Sequence, residues 1–456
     1  MTVSVFDMVT LQHLWSTPEL REIFSENSRL QAQLDFEVAL AQAQAELGII
    51  PESAAQDIVK HCNMTDVDTG VIAEHIRQIK HPLVPVLKQV QRKLSKPGAE
   101  YLHYGATTQD AVDTGLMLQL KQAHEIYVKQ LAEVARQLMR LATEHRDTIM
   151  AGRTHGVQAL PITFGHKCAI WLDEVLRHLE RLTEAQPRVF TLMMVGAVGS
   201  QASYGPQARE IERRVAQKLG LALPDISWAP ARDRPVEYTS LLALIAGTLG
   251  KIGNELFNMQ RNEFAEVEEG FEEGKLGSST MPHKRNPSSA ENVAMLCRSV
   301  RYSASMMLEA MVQEHERDAV AWKSEYKALP ETCLVAGALM LQTGNLLKGL
   351  RVNKERMRRN LNLMQGYLLS ERVMLELGEK VGKSTAHEWI YEASMHGIEN
   401  GMDFYDALCA HEHIGGSFSA EEITDLTMPE QYLGEIGASI DRVVARCQAN
   451  PLITQA

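Results

Sequence analysis

Residues 236–259 read VEYTSLLALIAGTLGKIGNELFNM, and this stretch decides the fold. Within it Leu242, Ile245, Leu249, Ile252, Leu256 and Met259 recur at spacings of 3, 4, 3, 4 and 3. Alternating threes and fours put all six side chains on one helix face. The same rhythm links Val293, Leu296, Val300, Ser303, Met307 and Ala310. A third face joins Leu116, Leu120, Tyr127, Leu131, Val134, Leu138 and Leu141. Sustained seams of this kind belong to long helices packed nearly parallel in a bundle. The first helix is expected to run from Glu237 to Glu269, about 50 Å at roughly 1.5 Å per residue. Such a helix carries more apolar stripe than one compact chain covers, so subunits are expected to share the bundle.

Proline placement agrees. None falls between Pro97 and Pro161, Pro235 and Pro282, Pro287 and Pro330, or Pro330 and Pro429. A proline costs a helix interior roughly 3 kcal/mol, so these gaps are where long helices fit. From about Met357 the glycines Gly366, Gly378, Gly382, Gly397 and Gly401 divide the chain into shorter helices. No alternating-strand pattern is visible. The expected architecture is all-α in three domains: an N-terminal helical domain over 1–112, a central long-helix bundle over 113–357, and a C-terminal helical domain over 358–456.

Composition excludes several classes. The chain has 456 residues, of which 45% are hydrophobic, too many for a disordered protein. Its formal charge of −12 argues against a nucleic-acid binder, which presents a basic face. No apolar run approaches the roughly 18 residues a membrane helix needs, and the first residues lack a signal-peptide pattern. The six cysteines form no C-x-x-C pair and read as buried reduced thiols, so a cytoplasmic protein is expected. No histidine pair has His-Glu-x-x-His spacing, and no strand-linked Gly-x-Gly-x-x-Gly occurs. Neither metal nor cofactor is expected.

Between two helical tracts lies Gly274-Lys275-Leu276-Gly277-Ser278-Ser279-Thr280-Met281-Pro282-His283-Lys284-Arg285-Asn286-Pro287. Its small residues let backbone N–H groups approach a ligand. Lys284, Arg285 and the Asn286 amide add charge and donors. The segment reads as an anion-holding loop with a hydroxyl beside it, the plain alternative being a solvated surface loop.

Residues Gly277 to Pro287 resemble the G-S-S-x-M-P-x-K-x-N-P signature of the fumarase/aspartase superfamily. His103-Tyr104-Gly105-Ala106-Thr107-Thr108-Gln109-Asp110 resembles its first block, and Gly152-Arg153-Thr154-His155-Gly156 its second. The resemblance spans essentially the whole chain. It implies a homotetramer with a shared helical bundle, whose active sites each take the three blocks from three subunits. It also implies elimination of a group β to a carboxylate, with release of fumarate.

A carbon beside a carboxylate is a very weak acid. Removing its proton needs a base and stabilisation of the resulting dianion. By the resemblance, Ser278 is the alkoxide base, supported by loop N–H groups, and His155 is the acid that protonates the leaving group. Thr107, Thr108 and Thr154 hold substrate carboxylates. Lys284 and Asn286 stabilise the developing charge, and Met281 and Arg317 complete the substrate-binding set. His81, Ser279 and Gln109 are further candidates. His81 falls where adenylosuccinate lyases carry a His-Asp pair, but here Pro82 follows. His103, His166 and His283 read as structural. Arg153, Lys284 and Arg285 are expected to make the pocket locally basic.

Two branches resemble the chain. His155 leans to adenylosuccinate lyases, because 3-carboxy-cis,cis-muconate cycloisomerases usually carry Trp there. The run Phe24-Ser25-Glu26-Asn27-Ser28-Arg29-Leu30-Gln31 and the segment Ala310 to Arg317, followed by Trp322 and Glu325, lean to cycloisomerases. The phosphate contacts of adenylosuccinate lyases are missing: Lys323 and Tyr326 stand where those enzymes have a serine and an arginine, and Ala231 replaces a glutamine usual in both. The expected activity is β-elimination from a substituted succinate, with C–N cleavage of an N-substituted aspartate favoured. A lactonising cycloisomerase, an adenylosuccinate lyase and an inactive structural homologue are the alternatives. The expected partner is a small dicarboxylate, without nucleic acid or membrane.

Overall fold

The structure is a computed structural model that describes residues 3–65, 67–270 and 278–454. The start of the signature loop, Gly274 to Gly277, lies outside the described residues. The chain is 69% helical with almost no sheet, as the seams predict. The principal helices are α1 (Glu26–Glu46), α2 (Thr108–Glu144), α3 (Phe164–Val189), α4 (Asp233–Met259), α5 (Ser288–Glu309), α6 (Ala319–Gly349), α7 (Ser370–Val381) and α8 (Lys383–Glu399). All six seam residues of α4 are 2% exposed or less. Those of the third seam are buried too, except half-buried Leu116.

Three boundaries differ from the sequence reading. Helix α4 ends at Met259, not Glu269, because the apolar rhythm stops there and Gln260 to Glu263 are polar. The chain turns through Ala265 (φ 50°), and the Glu266 N–H returns to the Met259 carbonyl at 2.9 Å. The proline-free tract after Pro287 is broken at 310–318 without any proline. His315 takes φ 57° there, and Asp318 accepts the Val320 N–H at 2.7 Å at the start of α6. Helix α6 then runs straight through Pro330, which leaves the Tyr326 carbonyl without its helical donor.

The chain forms two compact units. One comprises 1–131, 177–251 and 292–342; the other 132–176, 252–291 and 343–456. In the first, close helix approach rests on glycine. A Cβ at Gly115 would lie 3.0 Å from the Gln33 backbone nitrogen of α1, and one at Gly250 would collide with Cys297 Sγ of α5. In the second, Val373, Leu377, Ala386, Ile390, Phe404 and Leu408 form a separate apolar core among the short C-terminal helices.

The second unit also holds a hairpin that the sequence reading did not anticipate. Strands β1 (Ile149–Thr154) and β2 (Val157–Thr163) pair antiparallel, with Thr154 opposite Val157. The two-residue loop is His155-Gly156, at φ 54° and 80°. Positive φ at both loop positions is the type I′ turn, whose twist matches the strands. A bulge between Ala151 and Arg153 accommodates Pro161 opposite Ala151. A two-residue pair, β3 (Val267–Glu268) with β4 (Arg351–Val352), completes the sheet content among the described residues.

Candidate active site

In the first unit, five residues named from sequence come together: His81, Thr107, Thr108, Gln109 and Arg317. Helix α2 starts at Thr108, and its first turn is fixed by Asp110, which accepts the Thr107 N–H at 3.0 Å. Asp110 is fully buried and also takes the Val195 N–H (2.8 Å) and the Tyr204 hydroxyl (2.8 Å). The positive end of a helix dipole therefore faces this cluster.

Missing its expected carboxylate, His81 has other partners. Its Nδ1 accepts the Val84 N–H at 3.1 Å, so the ring proton sits on Nε2 and points to Thr108 Oγ1 at 3.0 Å. The Thr108 hydroxyl then has its own proton to give a ligand. Burial, the His103 ring and the Arg317 guanidinium all depress the His81 pKa, keeping it neutral.

His103 (φ 62°) contacts Glu37 through Nδ1 at 2.6 Å, and Glu37 is 1% exposed. Burial opposes the imidazolium, but the Glu37 charge and hydrogen bond outweigh it and raise the His103 pKa. A raised folded-state value gives stability that is complete below the unfolded pKa near about 6.5 and is lost as pH rises through the folded value. The melting-temperature advantage of the native chain over His103→Gln should therefore shrink as pH rises above about 6.5. An advantage that grows with pH would sink this pairing.

Arg317 donates from Nε to Gln109 Oε1 (3.0 Å) and from Nη2 to Thr107 Oγ1 (2.8 Å). Both acceptors are neutral. Beneath it, Arg232 is 1% exposed and lies between Asp113 (Nη1 to Oδ2, 2.7 Å) and Glu325 (Nη2 to Oε2, 2.7 Å). Trp322 Nε1 and Gln109 Nε2 donate to the same Asp113 carboxylate at 2.9 and 3.0 Å. The sequence reading did not place Asp113 or Arg232 at the site. Arg232 is balanced by its two carboxylates, so the guanidinium left to meet an anion is that of Arg317, beside the Thr107 and Thr108 hydroxyls.

The second unit carries the other named residues. Ser278 Oγ accepts the Thr280 N–H at 3.3 Å and the Met281 N–H at 3.0 Å. Its far flank is anchored where Glu269 accepts the Ser289 and Ala290 N–H groups at the start of α5 (2.9 and 3.3 Å). A cleft of about 1290 Å³ takes in Met281, Lys284 and Asn286, but neither Ser278 nor His155. Ser279 is exposed.

Thr154 and His155 stand exposed at the tip of the β1–β2 hairpin, and His155 makes no hydrogen bond to Ser278. Arg153 does not serve as a pocket cation. Its Nη1 and Nη2 bind Glu266 at 3.0 and 2.6 Å, with Glu266 fully buried and also held by Asn360 Nδ2 at 2.9 Å. Arg285 likewise reaches Glu268 at 2.6 Å. Lys284 makes no ion pair among the described residues, and Arg261 and Arg351 line the same cleft, so positive charge there does not depend on Arg153 or Arg285. The hairpin and its Glu266 anchor were missed because two short strands leave little periodic signal; the His155-Gly156 pair was the available cue.

No group of His, Cys, Asp and Glu that could hold a metal occurs among the described residues. No described helix is long and apolar enough to cross a membrane. Comparison with known proteins adds to this geometry. The family described as "Lyase" matches residues 14–301, and "Adenylosuccinate lyase C-terminus" matches 366–443. The chain is 44% identical to an N-acetyl-S-(2-succino)cysteine lyase of Dickeya dadantii, over 100% of both chains. It is 46% identical to one of Enterococcus italicus, over 99% of both. Among solved structures, the 3-carboxy-cis,cis-muconate lactonizing enzyme of Pseudomonas putida superimposes with a TM-score of 0.89 at 36% identity, covering 95% of this chain and 98% of that one.

Proposed function

Because the chain belongs to the fumarase/aspartase superfamily of lyases, we propose that it eliminates a thiol from an S-(2-succino) thioether and releases fumarate. The sulfur reading comes from the two succinocysteine lyases it resembles along their full length. It differs from the C–N cleavage favoured by the sequence alone. The observation that carries the elimination chemistry is the Ser278 hydroxyl facing two backbone N–H groups. Those dipoles favour an oxyanion at Oγ, which a weak carbon acid requires of its base.

The step balances as follows. Ser278 Oγ takes a proton from the succinyl CH₂ beside a carboxylate. The electron pair moves first into that carboxylate, where Lys284 and Asn286 stabilise the extra charge. It then forms the C=C bond as the C–S bond breaks and the sulfur leaves with its electrons. His155 supplies the sulfur's proton. A thiol has a pKa near about 8.5, so it departs more readily than an amine and asks less of His155. Thr107, Thr108, Thr154 and Arg317 hold the two carboxylates.

The site is proposed to be completed within a homotetramer. Support comes from His155 at an exposed hairpin tip and from apolar side chains left outward on the long helices: Leu244, 55% exposed, Tyr302, 80%, and Leu308, 53%. A solution mass of four chains tests this.

The function is tested with a panel of N-acetyl-S-(2-succino)cysteine, an N-substituted aspartate, adenylosuccinate and 3-carboxy-cis,cis-muconate, followed by ultraviolet absorbance. The thioether should give the highest kcat/KM. The cycloisomerase reading, favoured by the 0.89 TM-score to the lactonizing enzyme, wins if only the muconate is consumed.

A further inference from the structure

Every arginine in a protein interior needs a partner, and the kind of partner separates structural from ligand-binding ones. Arg232 has two carboxylates. Arg153 has one. Arg317 differs: its two hydrogen-bond acceptors are an amide oxygen and a hydroxyl, and no described carboxylate pairs with it. Its charge is thereby kept for something outside the chain.

What keeps it so is the orientation of Gln109. The Gln109 side chain is 2% exposed, and its amide is bonded at both ends, to Asp113 and the Ala229 carbonyl through Nε2 and to Arg317 through Oε1. Its Nε2 faces two pure acceptors, Asp113 Oδ2 at 3.0 Å and the Ala229 carbonyl at 3.3 Å. Oε1 is therefore forced toward Arg317. The flipped amide would set an NH₂ against a guanidinium.

Asp113 cannot take Arg317 itself. Oδ2 already accepts from Arg232 Nη1 and Gln109, and Oδ1 from Arg232 Nη2 and Trp322. Four donors fill the lone-pair sites of one carboxylate. Gln109 thus stands as a neutral spacer between a saturated carboxylate and a cation.

We infer that Gln109 is a positioning residue: with Asp113 fixing which way its amide faces, it aims Arg317 at a substrate carboxylate without neutralising it. This rests on the reading above that Arg317 binds such a carboxylate.

The test measures fumarate affinity by calorimetry, KM and kcat for the thioether, and melting temperature. The variants are Gln109→Met, Gln109→Glu and Arg317→Met. Gln109→Met removes the acceptor but leaves the Asp113–Arg232 pair in place. It should weaken fumarate binding and raise KM about ten-fold or more, the worth of one charge-assisted hydrogen bond, with a smaller change in kcat. Gln109→Glu puts a carboxylate against both Asp113 and Arg317. Its fumarate affinity relative to the native chain should recover as pH falls, because protonation of the introduced carboxyl restores a neutral acceptor. A purely packing role moves melting temperature but not this pH dependence. Fumarate affinity within two-fold of native in Gln109→Met, alongside a clear loss in Arg317→Met, overturns the positioning role alone. Unchanged affinity in Arg317→Met overturns the carboxylate reading beneath it.

Discussion

Ser278→Ala should lower kcat by about three orders of magnitude, the upper range for losing a general base, and leave KM within a few-fold. The reason is local. Ser278 Oγ already receives two N–H groups, at 3.3 and 3.0 Å, in the resting loop. Those dipoles are preorganised, so stabilising negative charge on Oγ costs no rearrangement. Alanine removes the hydroxyl that these N–H groups meet, and the loop keeps its anchor at Glu269. Carboxylate binding through Arg317 and the threonines is untouched, so ground-state affinity should persist. The measurement is steady-state turnover of the thioether together with fumarate affinity. Full activity in this variant would break the assigned chemistry.

Arg232→Met should destabilise the fold by about 3–5 kcal/mol, read from denaturant midpoints. Asp113, Arg232 and Glu325 are each 2% exposed or less. Burial raises the Glu325 pKa, and the Arg232 hydrogen bond and charge pull it back. Without Arg232, two carboxylates remain buried with no counter-charge. Losing Arg232 removes the group that pulls the Glu325 pKa down, so burial raises it further, the folded state binds more protons and the deficit shrinks as pH falls. Replacing Glu325 as well, in Arg232→Met/Glu325→Leu, should restore part of the loss, because an apolar contact replaces an unpaired charge. A cost below about 1 kcal/mol, or a deficit that grows on acidification, would show that the pair is not buried as described.

The long helices were legible because their signal is physical and repeated. Leu242 through Met259 marks one face, and all six side chains are buried. Where the seam stopped, so did the helix, and only the overrun to Glu269 misread it. Pro330 misled in the opposite sense: packing of a 31-residue helix overrides one missing hydrogen bond. The hairpin was invisible to periodicity because it has 6- and 7-residue strands with mixed burial.

The site was legible only through resemblance. Gln109 and Arg317 are 208 positions apart, and nothing in their spacing joins them. Nor does spacing reveal which arginines are already paired. Arg153 and Arg285 read as pocket cations until Glu266 and Glu268 appear beside them. His81 looked partnerless next to Pro82, yet Val84 and Thr108 fix its ring from the next turn and from another helix.

The most direct test of the account is to supply N-acetyl-S-(2-succino)cysteine to the purified protein and quantify fumarate and free thiol together. Elimination predicts one fumarate for each thiol, with both products lost in Ser278→Ala. Absence of both products, with 3-carboxy-cis,cis-muconate converted to a lactone instead, would contradict it.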